Sequence, residues 1–171
     1  SDNPPEYDKY EFDVAIYFGQ KPLSGVKSIH LFDDYMTMVT SPEIAKKLPS
    51  EDNIFDLEKL PFLHCTCETN EWEIWFNSFG QHCPKEDYQL STNDRSMVLN
   101  GAAHNMGIAI GRQPFMDKYL KNGTLIIPYK KYIDTGYKYY ITYHKSLAKN
   151  ENIIVFEKWL LTECQKLYAV D

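Results

Sequence analysis

Short apolar runs alternate with amphipathic stretches along almost the whole chain, and this alternation is the feature that most limits the possible folds. Residues 14–17, 60–64 and 108–111 are short and apolar and are bounded by turn residues, as buried strands are. Helical patterns lie between these runs. Because strands that alternate with helices are typical of α/β architecture, we predict an α/β fold with largely parallel strand pairing.

The clearest helix covers residues 72–79. Its apolar positions follow the spacing i, i+3, i+4 and i+7, which puts one apolar stripe on a helix: Trp72, Trp75, Phe76 and Phe79. Asn70 and Glu73 have the spacing of a capping box, with Asn70 as the cap. Gly80 follows the stripe and is predicted to end the helix.

Other elements are predicted from caps and periodicity. Ser41 and Pro42 begin a short helix, Thr92 or Asn93 caps a helix that runs to residue 105, and Pro114 begins a helix that ends at residues 122–123. Residues 124–127 and 138–143 are predicted strands. The last helix, residues 152–168, is predicted to turn four side chains inward: Phe156, Trp159, Leu160 and Leu167.

Composition narrows the class of protein. The 171 residues carry a net charge of -6 without a run of like charge, whereas a domain that grips phosphate backbones by itself is basic. We therefore expect that this chain does not itself bind nucleic acid. No stretch resembles a signal peptide or approaches a membrane span, so we expect no membrane partner. With four cysteines and no sign of secretion, we expect reduced thiols in a cytoplasm.

Catalytic and metal-binding patterns are weak. One cluster contains residue types that bind metals: His64, Cys65, Cys67, His82 and Cys83. Its Cys-x-Cys spacing has no second matched pair, which favours structural roles for these residues over a zinc site. A redox role of Cys65 or Cys67 is the less favoured alternative. Neighbouring Asp33 and Asp34 point to opposite sides of a strand, so we expect a solvated strand edge there. The chain has no nucleophile elbow, P-loop or dinucleotide fingerprint, and we predict neither an enzyme nor a cofactor.

Six segments together resemble a known family. The chain resembles the effector-binding domain of LysR-type transcriptional regulators, and in particular that of the glycine-cleavage-activator subgroup. The resemblance covers essentially everything from Asp13 onward, and the order and spacing of the segments make it specific. The segments are DVAIYFG at 13–19, LFDDY through SP at 31–42, LPFLH with Trp72 and Trp75, GIAIGR at 107–112 with GTLIIPY at 123–129, YYITY at 139–143 and FEKWL at 156–160.

The resemblance implies a type-2 periplasmic-binding-protein-like fold, in which two Rossmann-like subdomains are joined by two crossing strands at residues 32–39 and 139–143. Subdomain one would hold residues 1–38 and 141–171, and subdomain two residues 39–140. The chain starts without an initiator methionine and lacks the family's helix-turn-helix, so we interpret it as an N-terminally truncated bacterial fragment with an incomplete first subdomain. The implied partners are a small-molecule effector, a homodimer or tetramer, and DNA only through the absent helix-turn-helix. Exposed strand edges of the incomplete subdomain predict additional dimer contacts.

A small-molecule site is expected in the cleft between the subdomains. Hydroxyl and amide side chains where strands end and helices begin can hold a carboxylate or phosphate, and Cys65, Thr66, Thr92 and Asn93 have such positions. For Thr92 and Asn93, helix capping alone is an equal alternative. By resemblance, Tyr17 and Phe18 end a strand that faces the cleft, and Tyr17 replaces the family's usual arginine. Arg112, for which a salt bridge is the alternative, and Tyr140 complete the predicted ligand-binding set.

The predicted function is ligand sensing and oligomerisation for a LysR-family regulator. The alternative is a solute-binding protein of a transporter with the same fold. The reading frame upstream of residue 1 separates the two, because it encodes a helix-turn-helix in the first case and a signal peptide in the second.

Overall fold

The computed structural model describes residues 13–66, 70–84 and 88–168. Six strands and five α-helices alternate along this part of the chain, together with two 3₁₀ helices at Glu51–Lys59 and Lys145–Lys149. The strands are β1 Val14–Gly19, β2 Lys27–Thr40, β3 Phe62–Cys65, β4 Leu90–Thr92, β5 Ile108–Arg112 and β6 Ile133–Tyr143. The helices are α1 Pro42–Ala45, α2 Glu71–Asn77, α3 Arg95–Ala103, α4 Asp117–Lys121 and α5 Glu151–Tyr168. The predicted α/β class is confirmed.

The chain folds into two compact units. Unit one takes in residues 13–34 and 134–168 of the described chain, and unit two is Tyr35–Ile133. Strand β2 therefore begins in unit one and ends in unit two. The subdomain boundaries implied by the resemblance, at residues 38/39 and 140/141, remain a prediction.

In unit one, β1 pairs with β6 in antiparallel register from Val14 opposite Tyr143 to Gly19 opposite Lys138. Helix α5 covers one side of these strands, and Ile141, Tyr143 and Ile153 form the core between them. The Tyr143 hydroxyl donates a hydrogen bond to Glu157 of α5. Lys27 lies 3.5 Å from the same carboxylate, so α5 is attached by polar as well as apolar contacts.

The prediction for the inner side of α5 is mostly wrong. Phe156, Trp159 and Leu167 are 40, 55 and 68% exposed, and of the four predicted residues Leu160 packs against the core. The helix carries two apolar stripes, and the large aromatic side chains made the outer stripe look like the buried one. The rotation of α5 instead follows Ile153, Leu160 and Cys164, whose spacing of seven and four residues keeps them on one side.

In unit two, β5 lies between the last part of β2 and β3, and β4 lies beyond β3. Strand β3 is parallel to both β4 and β5, as predicted, but the β2–β5 pair is antiparallel, like β1–β6 in unit one. Apolar side chains are buried on both faces, as in sheets covered on two sides. One core contains Met36, Met38, Phe62, Trp72 and Trp75, and the other contains Val39, Leu63, Leu99, Ala109 and Met116.

Local caps explain how α1 and α2 begin. The Ser41 hydroxyl accepts a hydrogen bond from the Ile44 backbone, and the Asn70 side chain accepts one from the Glu73 backbone, so both predicted N-caps are confirmed. Gly80 adopts a φ of 72°, the left-handed conformation that ends a helix. The Trp72 indole donates to the Leu63 carbonyl at 3.1 Å, which fastens α2 to β3.

Two predicted elements are shorter than expected. Residues 124–127 make only an isolated bridge, Thr40 opposite Ile126, and no strand. Helix α4 begins at Asp117 and not at Pro114, because the chain first turns: the Met116 backbone donates to Arg112, and the Asp117 backbone donates to Pro114.

Candidate functional site

The carboxyl ends of three neighbouring strands meet at one edge of unit two. Cys65 ends β3 directly opposite Thr92 at the end of β4, and the Thr66 backbone N–H donates to the Thr92 carbonyl at 2.9 Å. Arg112 ends β5, which is also parallel to β3. The Cys65 side chain is buried, whereas Thr66 is exposed and Thr92 is half-buried. The structure thus brings Cys65, Thr66 and Thr92 together, with a hydroxyl and backbone groups near solvent.

The cap of α3 is Asp94, and the prediction that Thr92 or Asn93 caps this helix is wrong. The Asp94 carboxylate accepts from the Ser96 backbone at 2.8 Å and from the Met97 backbone at 3.3 Å. Since β4 extends to Thr92, one more residue is needed for the turn before a cap can form. The Thr92 hydroxyl accepts from the Asp94 backbone at 3.2 Å and so shapes this turn, while Asn93 is exposed beside it.

A buried carboxylate joins α2, α3 and β5 at the same edge. Glu71 is 2% exposed, and its two oxygens accept from Arg95 at 3.0 and 3.1 Å. The Nε of Arg112 lies 2.8 Å from Glu71 Oε1, and both arginine side chains are about nine-tenths buried. An ion pair in this position holds its members in fixed geometry. Sequence reasoning missed Glu71 and Arg95; each opens its helix directly after a cap residue, a position that signals proximity to the strand ends.

The surroundings of His64 disfavour the protonated imidazole. Its ring stacks on Tyr88 with centroids 4.3 Å apart. Burial lowers the His64 pKa, the Glu71 carboxylate opposes this shift, and the Arg95 charge adds to it. Such a histidine can accept or donate a hydrogen bond but resists taking up a proton.

The other residues of the metal-like pattern have different partners. His82 Nδ1 lies 2.8 Å from Glu73 Oε1, and the Cys83 backbone donates to Glu73 Oε2 at 2.9 Å. These hydrogen bonds lower the pKa of Glu73. Residue Cys67 lies outside the described residues. Within residues 13–66, 70–84 and 88–168, no group of three or more His, Cys, Asp and Glu side chains is arranged to hold a metal ion.

In unit one, Tyr17 and Phe18 point to opposite sides of β1, as neighbours on a strand do. Tyr17 lies opposite Tyr140 of β6, and their ring centroids are 6.2 Å apart. Phe18 packs on the other side, against Tyr137 and Tyr139, each at 4.9 Å. The structure therefore brings Tyr17 and Tyr140 together but separates Phe18 from them.

Charged groups that the sequence did not assign to the ligand site lie beside the tyrosine pair. Asp33 accepts from Lys138 and lies 2.8 Å from His30 Nε2, and the His30 ring lies 5.9 Å from that of Tyr140. The Lys138 contact lowers the pKa of Asp33, while burial raises that of Tyr140. The alternation of Lys138 and Tyr140 in β6 was the signal that could have indicated a shared face.

Asp34 is not part of a solvated strand edge, which corrects that expectation for this residue. Its side chain is fully buried, and the Thr135 hydroxyl donates to its carboxylate at 2.7 Å. The Thr135 partner lies 101 residues further along the chain, so the local pattern gave no indication of burial.

Known proteins share sequence similarity with this chain. A sequence model of the LysR substrate binding domain family matches residues 4–165. Two Escherichia coli K12 proteins, the HTH-type transcriptional regulator PerR and the glycine cleavage system transcriptional activator, are each 24% identical to this chain. The matches cover 92% and 90% of this chain, which spans 54% and 50% of the two relatives. These relatives are regulators, which does not favour the transporter alternative.

A solved structure shows the same fold. The AmpR effector binding domain from Citrobacter freundii superposes with a TM-score of 0.74 at 22% identity, over 90% of this chain and 75% of that one. None of the described helices has the length and apolar character needed to cross a membrane. The family match over nearly the whole chain, with this fold, leads to one conclusion: the chain belongs to the LysR substrate-binding domain family.

Proposed function

We propose that this chain is the ligand-sensing part of a LysR-type transcriptional regulator that binds a small-molecule effector and contacts DNA through a helix-turn-helix outside the chain. The observation that carries the proposal is the family match over residues 4–165. The named relatives are transcriptional regulators, and a regulatory, non-enzymatic role in the cytoplasm, where the DNA is, is consistent with those names.

In unit two, the proposed effector contacts are Cys65, Thr66, Thr92, Asn93 and Arg112. The Thr66 and Asn93 side chains are exposed, and the Thr92 hydroxyl has further acceptor and donor capacity beyond its one bond to Asp94. The Arg112 guanidinium is oriented by Glu71. These groups suit a small polar molecule with a carboxylate or phosphate, since hydroxyl, amide and guanidinium groups all donate hydrogen bonds to such oxygens.

In unit one, the proposed ligand-site residues are Tyr17, Phe18 and Tyr140. Tyr17 and Tyr140 share a face with Lys138, so their phenols and the ammonium group can all donate to a polar ligand. Phe18 lies on the apolar side against Tyr137 and Tyr139. We therefore propose an indirect role for Phe18, in which it supports the strand that presents Tyr17.

Effector binding is tested by thermal unfolding of the chain in the presence of carboxylates, amino acids and phosphorylated sugars. A ligand at a hundred times its dissociation constant stabilises the folded state by about 2.7 kcal/mol. We expect one chemical class to raise the midpoint, and we expect Thr92→Val to reduce that rise. A complete regulator whose operator affinity and DNA bending respond to none of these compounds contradicts the proposal.

Self-association as a homodimer or tetramer is part of the proposal. A ligand that favours one arrangement of such an assembly changes how its DNA-binding segments are presented, which is the general logic of allosteric regulation. The mass of the complete regulator, measured with and without the stabilising compound, tests whether binding and assembly are coupled.

A further inference from the structure

Gly19, the last residue of β1, leaves room for the ring of Tyr17 because it has no side chain. A Cβ atom at position 19 would lie 2.3 Å from the Tyr17 hydroxyl oxygen, 2.5 Å from its Cζ and 2.6 Å from its Cε1. Residues i and i+2 of a strand lie on the same face, and their side chains lean along the strand. The outer end of the Tyr17 ring therefore lies over the Gly19 backbone and occupies the space that a side chain at position 19 would fill.

The backbone conformation of Gly19 does not itself require glycine. Gly19 continues the extended strand and is not among the glycines that have a left-handed φ. Other residues can adopt this conformation without strain. Gly19 is also buried, although the next residue, Gln20, is exposed. The close approach of the Tyr17 ring, and not a turn, is thus the structural reason for a glycine at this position.

The ring that rests on Gly19 also lies beside two polar residues of unit one. Tyr17 is opposite Tyr140 and Gly19 is opposite Lys138, as consecutive pairs on one face of β1 and β6. The Tyr140 side chain is 5% exposed, and its ring centroid lies 6.2 Å from that of Tyr17. Diagonal neighbours across two strands are within reach of an aromatic side chain. The lean toward Gly19 therefore carries the Tyr17 phenol to the Lys138 side of the tyrosine pair, where hydroxyl and ammonium groups can both donate to a polar ligand.

We propose that Gly19 is a positioning residue of the unit-one ligand site, which fixes the place of the Tyr17 phenol and so determines which small molecules the site admits. A methyl group at position 19 would displace the outer end of the ring by about 1 Å, because non-bonded heavy atoms separate to about 3.5 Å. A hydrogen bond from the phenol to a ligand is weakened by a displacement of that size. The placement of the ring is independent of any ligand, whereas its effect on binding rests on the proposed function.

The first test needs no ligand and measures whether the two residues are coupled. Gly19→Ala is made in the wild type and in Tyr17→Ala, and the urea midpoints of the resulting proteins are compared as a double-mutant cycle. In Tyr17→Ala the space over Gly19 is open, so Gly19→Ala should raise the midpoint, because alanine loses less conformational entropy on folding than glycine. In the wild type the same change must displace the ring, and the midpoint should fall. Equal shifts in the two backgrounds overturn the proposal.

Ala15→Ser is the matched control, because it adds one heavy atom to the same face of β1 on the other side of Tyr17. Its effect on the midpoint should be the same with and without Tyr17→Ala. The position of the ring is then measured by NMR of protein labelled with ¹³C in its tyrosine rings, in which Tyr17 is the resonance that Tyr17→Phe removes. Gly19→Ala should shift the Tyr17 and Tyr140 resonances and leave that of Tyr129, in unit two, unchanged. An unmoved Tyr17 resonance in folded Gly19→Ala overturns the proposal.

Binding is tested by titrating the same labelled protein with succinate, L-alanine and inorganic phosphate. We expect a probe that shifts the wild-type Tyr17 resonance to bind Gly19→Ala about tenfold more weakly, as for the loss of one hydrogen bond to a charged group, and to bind Ala15→Ser unchanged. A probe that shifts this resonance with equal affinity in Gly19→Ala overturns the role of Gly19 in binding. If Gly19→Ala moves the ring but no probe shifts the Tyr17 resonance of the wild type, the proposed ligand site of unit one fails, and the role of Gly19 in binding fails with it.

Discussion

Arg95 donates one hydrogen bond to each carboxylate oxygen of Glu71, and this paired contact lies where Glu71 is almost entirely buried. Glu71 opens α2 and Arg95 opens α3, so the contact ties together the starts of two helices that follow neighbouring parallel strands. Arg112 adds a third element to the same carboxylate. The edge that carries the candidate unit-two residues is thus held by an internal ion pair.

Removing the charge of Glu71 should destabilise unit two strongly. Glu71→Gln leaves two largely buried guanidinium groups without their carboxylate, and breaking such a buried pair costs about 3–5 kcal/mol. The free energy of unfolding in urea measures the loss. Glu43→Gln is the control, since Glu43 pairs with Lys46 on the surface and its removal should change little. Equal effects of the two substitutions would contradict the structural role of Glu71.

Capping and ligand binding can be separated at the start of α3. Asp94→Ala removes the side chain that accepts from Ser96 and Met97, so it should lower the free energy of unfolding by about 1 kcal/mol. Asn93→Ala leaves the Asp94 cap in place, so it should cost less stability than Asp94→Ala. If Asn93→Ala nevertheless reduces the stabilisation by an effector, Asn93 acts on the ligand and not on the helix; a large loss of stability in Asn93→Ala would reverse this assignment.

Gly107 is required where β5 begins beside the end of the 60–61 loop. A Cβ at this position would lie 2.1 Å from the Pro61 carbonyl oxygen, which also accepts the Ile108 backbone N–H. Gly107→Ala should therefore cost well over the 1–2 kcal/mol typical of backbone strain alone. Gly123→Ala is the matched control: its φ of 73° is also left-handed, but open space surrounds its Cβ, so only the backbone cost of about 1–2 kcal/mol is expected. Chemical denaturation of both variants provides the comparison.

Acid should destabilise the chain in part through His64. Burial lowers its pKa below the ordinary value of 6.5, so the unfolded state takes up a proton more readily than the folded state. The stabilising contribution is complete above the unfolded pKa and is lost as the pH falls through the folded pKa. His64→Phe keeps an aromatic ring against Tyr88 and removes the titration, and its free energy of unfolding should fall less steeply below about pH 6.5. Identical pH profiles of the variant and the wild type would exclude this role.

The sequence was sufficient to predict the buried side of a helix where one apolar stripe dominates. The predicted stripe of α2 packs as expected, because Trp72, Trp75 and Phe76 have no competing stripe and lie between two caps. Helix α5 has two stripes, and contacts made across the unit, such as that of Tyr143 with Glu157, decide which one faces inward. Side-chain volume was a poor guide in that helix.

The candidate site was predictable in part for a similar reason. The ends of β3 and β4 could be placed together because parallel strands bring their carboxyl ends to one edge. The pairing of Arg112 with Glu71 could not be predicted, since the two residues lie far apart in the sequence and the position of Glu71 at the start of α2 indicates only that it lies near the strand ends. For Tyr17 and Phe18, the resemblance suggested a common ligand role, whereas strand geometry puts them on opposite faces.

Substitutions on the two faces of the β1–β6 ribbon affect different properties of the domain. Tyr17, Lys138 and Tyr140 lie on one face, and Phe18, Tyr139 and Ile141 lie on the other, toward α5. Selection can therefore alter the polar face, and with it the chemistry offered to a small molecule, while the packing on the apolar face is kept. A lineage of such domains could diversify in specificity without first losing its ability to fold.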